Sequence, residues 1–100
     1  MMIRITWGRL RAGAWNEFEH AYRANVTDGK TINGFRGRLL VQDSGDKDTG
    51  FTISLWDSLA DMDTYEQSAV FKEFLAKLEP FFVGEYKTHR CEVKYTDMVS

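Results

Sequence analysis

Thr52-Ile53-Ser54-Leu55-Trp56-Asp57-Ser58 runs directly into Leu59-Ala60-Asp61-Met62-Asp63-Thr64-Tyr65 and then into Ser68-Ala69-Val70-Phe71-Lys72-Glu73-Phe74-Leu75. The first segment alternates and ends on a tryptophan, the pattern of a strand with two unlike faces. Ser58 is a good helix N-cap, and Asp61 three residues later approaches a capping box. Leu59, Met62 and Tyr65 follow at three-residue spacing. Ser68 is a second N-cap. Phe71, Phe74, Leu75 and Leu78 then stand at i, i+3, i+4 and i+7, the apolar stripe of an amphipathic helix that Pro80 closes. A strand followed by a helix in two capped pieces is the organising unit of this chain.

Upstream, residues 2–7 alternate, with Ile3, Ile5 and Trp7 on one side and Met2, Arg4 and Thr6 on the other. Gly8 and Gly13 bracket a connection to a helix over 14–26, whose apolar face carries Trp15, Phe18, Tyr22 and Val26. Asp28-Gly29 ends it with turn chemistry. Residues 34–43 alternate again as a second strand. A polar hairpin loop, 44–50, joins it to the third, 51–56. Downstream, 86–95 alternate as a last strand. The acidic residues Asp43, Asp46 and Asp48 lack the spacing of a calcium loop and read as solvated.

The order is β-α-β-β-α-β with the second helix split. It predicts an α+β, ferredoxin-like domain with a four-stranded antiparallel sheet, strands one and three central and two and four at the edges. Arginines and lysines on strands two and four suit edges that must not pair freely. Two helical layers cover one face of such a sheet. Alternation assigns them the face of Ile3, Ile5, Leu39, Val41, Ile53 and Leu55. The opposite face, with Leu40, Trp56, Tyr86 and several arginines, is then left for a second copy of the chain, so a homodimer is expected.

The totals agree with one domain spanning 1–100: 100 residues, 43% of them hydrophobic and 14% aromatic. A net charge of -2 with scattered Lys and Arg argues against nucleic acid as a partner. No apolar run reaches the ~20 residues of a membrane span, and the first residues are too short and too charged for a signal peptide. A single cysteine, Cys91, forms no internal disulfide and suits a reducing cytoplasm.

Gly34-Phe35-Arg36-Gly37, the strand ending at Trp56, and Ser68-Ala69-Val70-Phe71-Lys72 together resemble the antibiotic biosynthesis monooxygenase family, over residues 3–93. The resemblance implies a dimeric α+β barrel with a pocket between sheet and helices in each subunit. Some members oxidise polycyclic aromatic or quinol substrates with no metal or flavin, so it implies no cofactor and a small aromatic ligand. It also implies a monooxygenase or, as the alternative, a non-catalytic ligand-binding or stress-linked protein. A close branch degrades haem, using an Asn, a Trp and a His where this chain has Thr6, Tyr65 and Leu75. Leucine has no lone pair for iron, so that ligation is not expected here. The aromatic-oxidising members often carry an Asn four residues before the strand-three Trp; that position is Thr52.

The resemblance makes Thr6, Trp56, Tyr65 and Leu75 candidate substrate-binding residues, and places the pocket beside Thr6, opposite to the face that alternation assigns to the helices. His89 is the candidate general base for taking a phenolic proton; a structural histidine is the alternative. Arg4, Arg36, Arg38 and Arg90 are candidates for holding a carboxylate or an enolate, with edge ion pairs as the alternative. Trp7 and Trp15 read as core, His20 as solvated, and Cys91 as a buried inert thiol.

Overall fold

Strand β1, Met2–Arg9, lies at the centre of the sheet because both of its edges are paired along nearly their whole length. The structure, a computed structural model, describes residues 1–99. After β1 come α1 (Trp15–Asn25), a 3-10 turn (Gly29–Thr31), β2 (Phe35–Gln42), β3 (Thr49–Trp56), α2 (Leu59–Glu66), α3 (Ala69–Leu78), a second 3-10 turn (Glu79–Phe81) and β4 (Lys87–Glu92). The sheet order is β2-β3-β1-β4, all antiparallel, with β1 and β3 central as expected.

Both serine caps form. Ser58 accepts from the Asp61 amide at 3.1 Å and Ser68 from the Phe71 amide at 3.2 Å. Each satisfies a helix-end donor that would otherwise lack a partner. β4 stops short of the expected 86–95. β1 runs out of partner at the pair Met2–Glu92, and beyond it only the Val93 amide reaches back, to the Met1 carbonyl at 2.9 Å.

The helices do not cover the face that alternation suggested. They cover Thr6, Gly8, Thr52, Trp56 and Leu40, while Ile3, Ile5, Trp7, Leu39, Val41, Phe51, Ile53 and Leu55 line the opposite face. That second face carries no helix, and Leu39 is 54% exposed on it. Trp7 therefore belongs to it, not to the core under the helices. Cys91, paired with Ile3, is exposed there instead of buried.

The core is built from Leu10, Ala14, Phe18, Tyr22 and Leu78, closed by Trp15, Phe74, Phe81 and Phe82. Phe18 meets Trp15, Phe81 and Phe82 at centroid distances of 5.7, 5.9 and 5.7 Å. Burying one such ring is worth about 1.5–3 kcal/mol. Trp56 and Met62 are the largest fully buried side chains and fasten α2 to the end of β3.

The acidic loop is more ordered than a solvated reading implies. Asp43 Oδ1 accepts from the Gly45 and Asp46 amides, and Asp48 Oδ1 accepts from the Gly13 amide. These carboxylates hold the hairpin and tie it to the chain leaving β1.

Candidate functional site

A row of aromatic rings lines the space between the sheet and the split helix. Phe35 meets Trp56 edge-on at 5.3 Å, Trp56 meets Tyr65 at 5.2 Å, and Tyr65 meets Phe71 at 5.2 Å. The start of β2 is placed by two links, one to the turn after β3 and one to α2: the Asp57 amide donates to the Gly34 carbonyl at 2.8 Å, and Asn33 donates to Asp61 at 3.1 Å. Gly34 has φ +74° and lies against the Asp61 side chain, so a larger residue has neither the conformation nor the room. The break between α2 and α3, set by the Ser68 cap, brings Tyr65 and Phe71 to adjacent places in the row.

A guanidinium stands at each end of this row. Arg4 lies 5.1 Å from the Phe71 centroid and Arg38 lies 4.4 Å from that of Phe35, both within cation–π range. Arg4 is neutralised by Glu66 (Nε to Oε2, 3.2 Å) and also donates to Thr6 Oγ1 at 3.1 Å. Thr6 in turn is 2.9 Å from Thr88 Oγ1. Trp56 spends its indole N–H on Ser54, 2.9 Å away, leaving its ring faces to the row. Tyr22, also in the wall, has its hydroxyl pKa raised, first by burial; Arg38 pulls the other way. It therefore stays a neutral donor at ordinary pH.

These residues enclose a cavity of about 80 Å³. A cavity near 150 Å³ is known to admit benzene, so a ring is received here only when wall side chains swing aside. A second, wider cleft of about 260 Å³ opens on the other side of Tyr65, which lines both.

Thr6, Trp56, Tyr65 and Leu75, from four different elements or strand ends, all line the one cavity, together with Thr52. His89 is not brought to it. It pairs with Ile5, and is exposed on the sheet face away from the helices. Of the four arginines, Arg36 turns outward into a two-point pair with Asp57 at 2.5 and 2.8 Å. Arg90 contacts Asp63 and Glu66. Arg4 and Arg38 remain in the cavity wall. Glu66, absent from the sequence reading, holds both Arg4 and Arg90; its Oε1 is 3.2 Å from Arg90 Nε but is buried out of line for a hydrogen bond. Its position on the weakly amphipathic α2 gave no signal of that role.

No helix is long and apolar enough to cross a membrane among the described residues. No curated protein matches the chain by sequence. Among solved structures, a mutant of SnoaB, a cofactor-independent oxygenase from Streptomyces nogalater, superposes with a TM-score of 0.83 at 14% identity, covering 95% of this chain and 94% of that one. A conserved protein from Methanosarcina mazei gives 0.81 at 16% identity, over 94% of each chain. A Mycobacterium tuberculosis protein gives 0.76 at 14%, over 99% and 98%. At such identities the likeness establishes the shared fold. The sequence profile of the antibiotic biosynthesis monooxygenase family matches residues 1–77, more than three quarters of the chain, and on that match the protein belongs to this family.

Proposed function

We propose that the protein is a cofactor-independent monooxygenase that oxidises a small aromatic or quinol-like molecule, acting as a homodimer in the cytoplasm. The observation that carries this is the row Phe35–Trp56–Tyr65–Phe71 with a guanidinium at either end. The rings give the cavity an aromatic wall whose faces and edges suit contact with an aromatic substrate. The unpaired charge of Arg38 and hydrogen-bond donation from Arg4 favour its ionised form, since each lowers the pKa of a phenol or enol.

Ionisation is the step this chemistry needs. An enolate or carbanion at a ring methylene gives an electron to O2, and the radical pair joins to form a carbon–oxygen bond. The resulting peroxide anion takes a proton. Loss of water from the hydroperoxide, with cleavage of the O–O and remaining C–H bonds, leaves a carbonyl. One oxygen atom stays in the product and the other departs as water. Arg4 and Thr6, bonded to each other at the Phe71 end of the row, are the hydrogen-bonding groups that face the developing anion, with the net charge of Arg4 already balanced by Glu66. Among the described residues no imidazole and no carboxylate lines the cavity. The first proton therefore leaves to solvent, and the substrate must be acidic enough to allow it.

The missing base is also what favours a second reading, a ligand-binding protein without turnover. Oxygen uptake in the presence of a panel of hydroquinones and anthrones separates the two. Saturable uptake with one 18O atom incorporated from 18O2 is expected; binding with no uptake across the panel selects the second reading. For haem, Leu75 stands in the cavity wall where the resemblance would need a ligand, and a haem titration is expected to give no Soret band of a ligated iron.

The helix-free face supports the homodimer. Eight apolar side chains on one side of a sheet form a patch of the kind that proteins cover, and a second identical sheet covers it with like against like.

A further inference from the structure

Arg38 differs from the other arginines of this sheet. Arg4, Arg36 and Arg90 each have a carboxylate partner, and among the described residues Arg38 has none. It is half-buried, in the cavity wall, with its guanidinium stacked on Phe35. The Gly29 turn closes over it: a Cβ at Gly29 would lie 2.6 Å from the Phe35 ring and 3.5 Å from Arg38 Nη2. A side chain there would displace the ring on which the guanidinium rests. Stacking fixes the plane of the fork and leaves its N–H edge for a planar acceptor. A half-buried cation with no carboxylate partner, beside an apolar cavity, is free to take an anion from a ligand.

We propose that Arg38 binds a carboxylate carried by the substrate, which makes the substrate an aromatic acid whose acid group lies at the Phe35 end of the row and whose oxidised position lies toward Arg4. This rests on reading the cavity as the place of a planar aromatic ring. A carboxylate conjugated to a ring is coplanar with it, so one flat molecule can lie against a single ring of the row and meet the flat guanidinium edge-on. The Arg4 end is unsuited to this role because Glu66 already occupies its cation.

The test compares 4-hydroxybenzoate with 4-hydroxybenzamide, which differ in the acid group and little in shape. Calorimetric titration of the intact protein is expected to show the acid bound about tenfold tighter. The preference is expected to vanish in Arg38→Gln and, in the unaltered protein, to shrink as salt rises because screening weakens a charge contact at the rim. Equal binding of the two probes, no binding of either, a preference that survives Arg38→Gln, or one indifferent to salt would each overturn the proposal. The salt series needs no variant, so misfolding of Arg38→Gln does not shield the idea. Oxygen uptake gives the separate reading. Turnover of neutral quinols with no acid preference sinks the Arg38 site and keeps the oxygenase, whereas acid-selective binding with no uptake does the reverse.

Discussion

Trp56 and Tyr65 touch each other and do different work. Trp56 is 1% exposed, bonded to Ser54 and wedged between Phe35 and Tyr65. Trp56→Ala is expected to cost about 3–5 kcal/mol in a urea titration, the range for deleting a large buried aromatic. Tyr65→Phe keeps the ring and is expected to cost less than about 1 kcal/mol; if the oxygenase reading holds, it lowers the rate of oxygen uptake more than stability. Charge at the surface fixes the response to acid. Hydrogen bonds from Arg36 hold the Asp57 carboxyl below the usual range, and those from Trp15 and then Arg23 do the same for Glu19. With native pKa values depressed, the unfolded chain binds the extra protons. The contribution of these groups is therefore full above about pH 4 and is lost as pH falls through their native values. Asp57→Asn should flatten the acid limb of stability against pH, and an unchanged slope would remove the pair from the account. At this scale the family resemblance named four residues that line the cavity, while His89, chosen for its imidazole, stands on the other side of the sheet, because a side chain's chemistry is visible in the chain and the side of the sheet it takes is not.

The break between α2 and α3 is the element that shapes the site. Ser58→Ala and Ser68→Ala are each expected to cost about 0.5–2 kcal/mol, the worth of an N-cap. Ser58 also bonds the Asp61 carboxylate at 2.9 Å, and Asp61 receives Asn33 from the start of β2. Its loss should therefore be felt at both elements, and a Ser58→Ala, Asn33→Ala double-mutant cycle in urea is expected to give a non-additive coupling. The split helix was legible because caps are local: the serine and the amide it accepts lie three residues apart. The end of β4 was not, because alternation continues to Tyr95 while the partner strand stops at Met2. A strand ends where its ladder ends, and that information belongs to another part of the chain.

For the whole molecule, the decisive property is which face of the sheet the helices take. Alternation showed which residues share a face and gave the wrong choice between faces. The helix side is polar at Arg4, Thr6, Thr52, Ser54 and Thr88 because it borders a cavity, and the most apolar side is left bare. Hydropathy alone ranks the apolar side as the core; a cavity under one layer and an uncovered second side reverse the ranking. Leu39→Asp is the informative variant. Leu39 is already exposed, so a folded single chain should lose no more than about 0.5 kcal/mol. Sedimentation is expected to show a dimer for the parent and a monomer for the variant, and a parent that sediments as a monomer at micromolar concentration would remove the paired sheets. Cys91 adds a consequence of its own, since it stands exposed across from Ile3 on that same bare side. A thiol so placed is a built-in gauge of association: its labelling by a maleimide should slow as the solution is made more concentrated, and in Leu39→Asp it should proceed at one rate at every dilution.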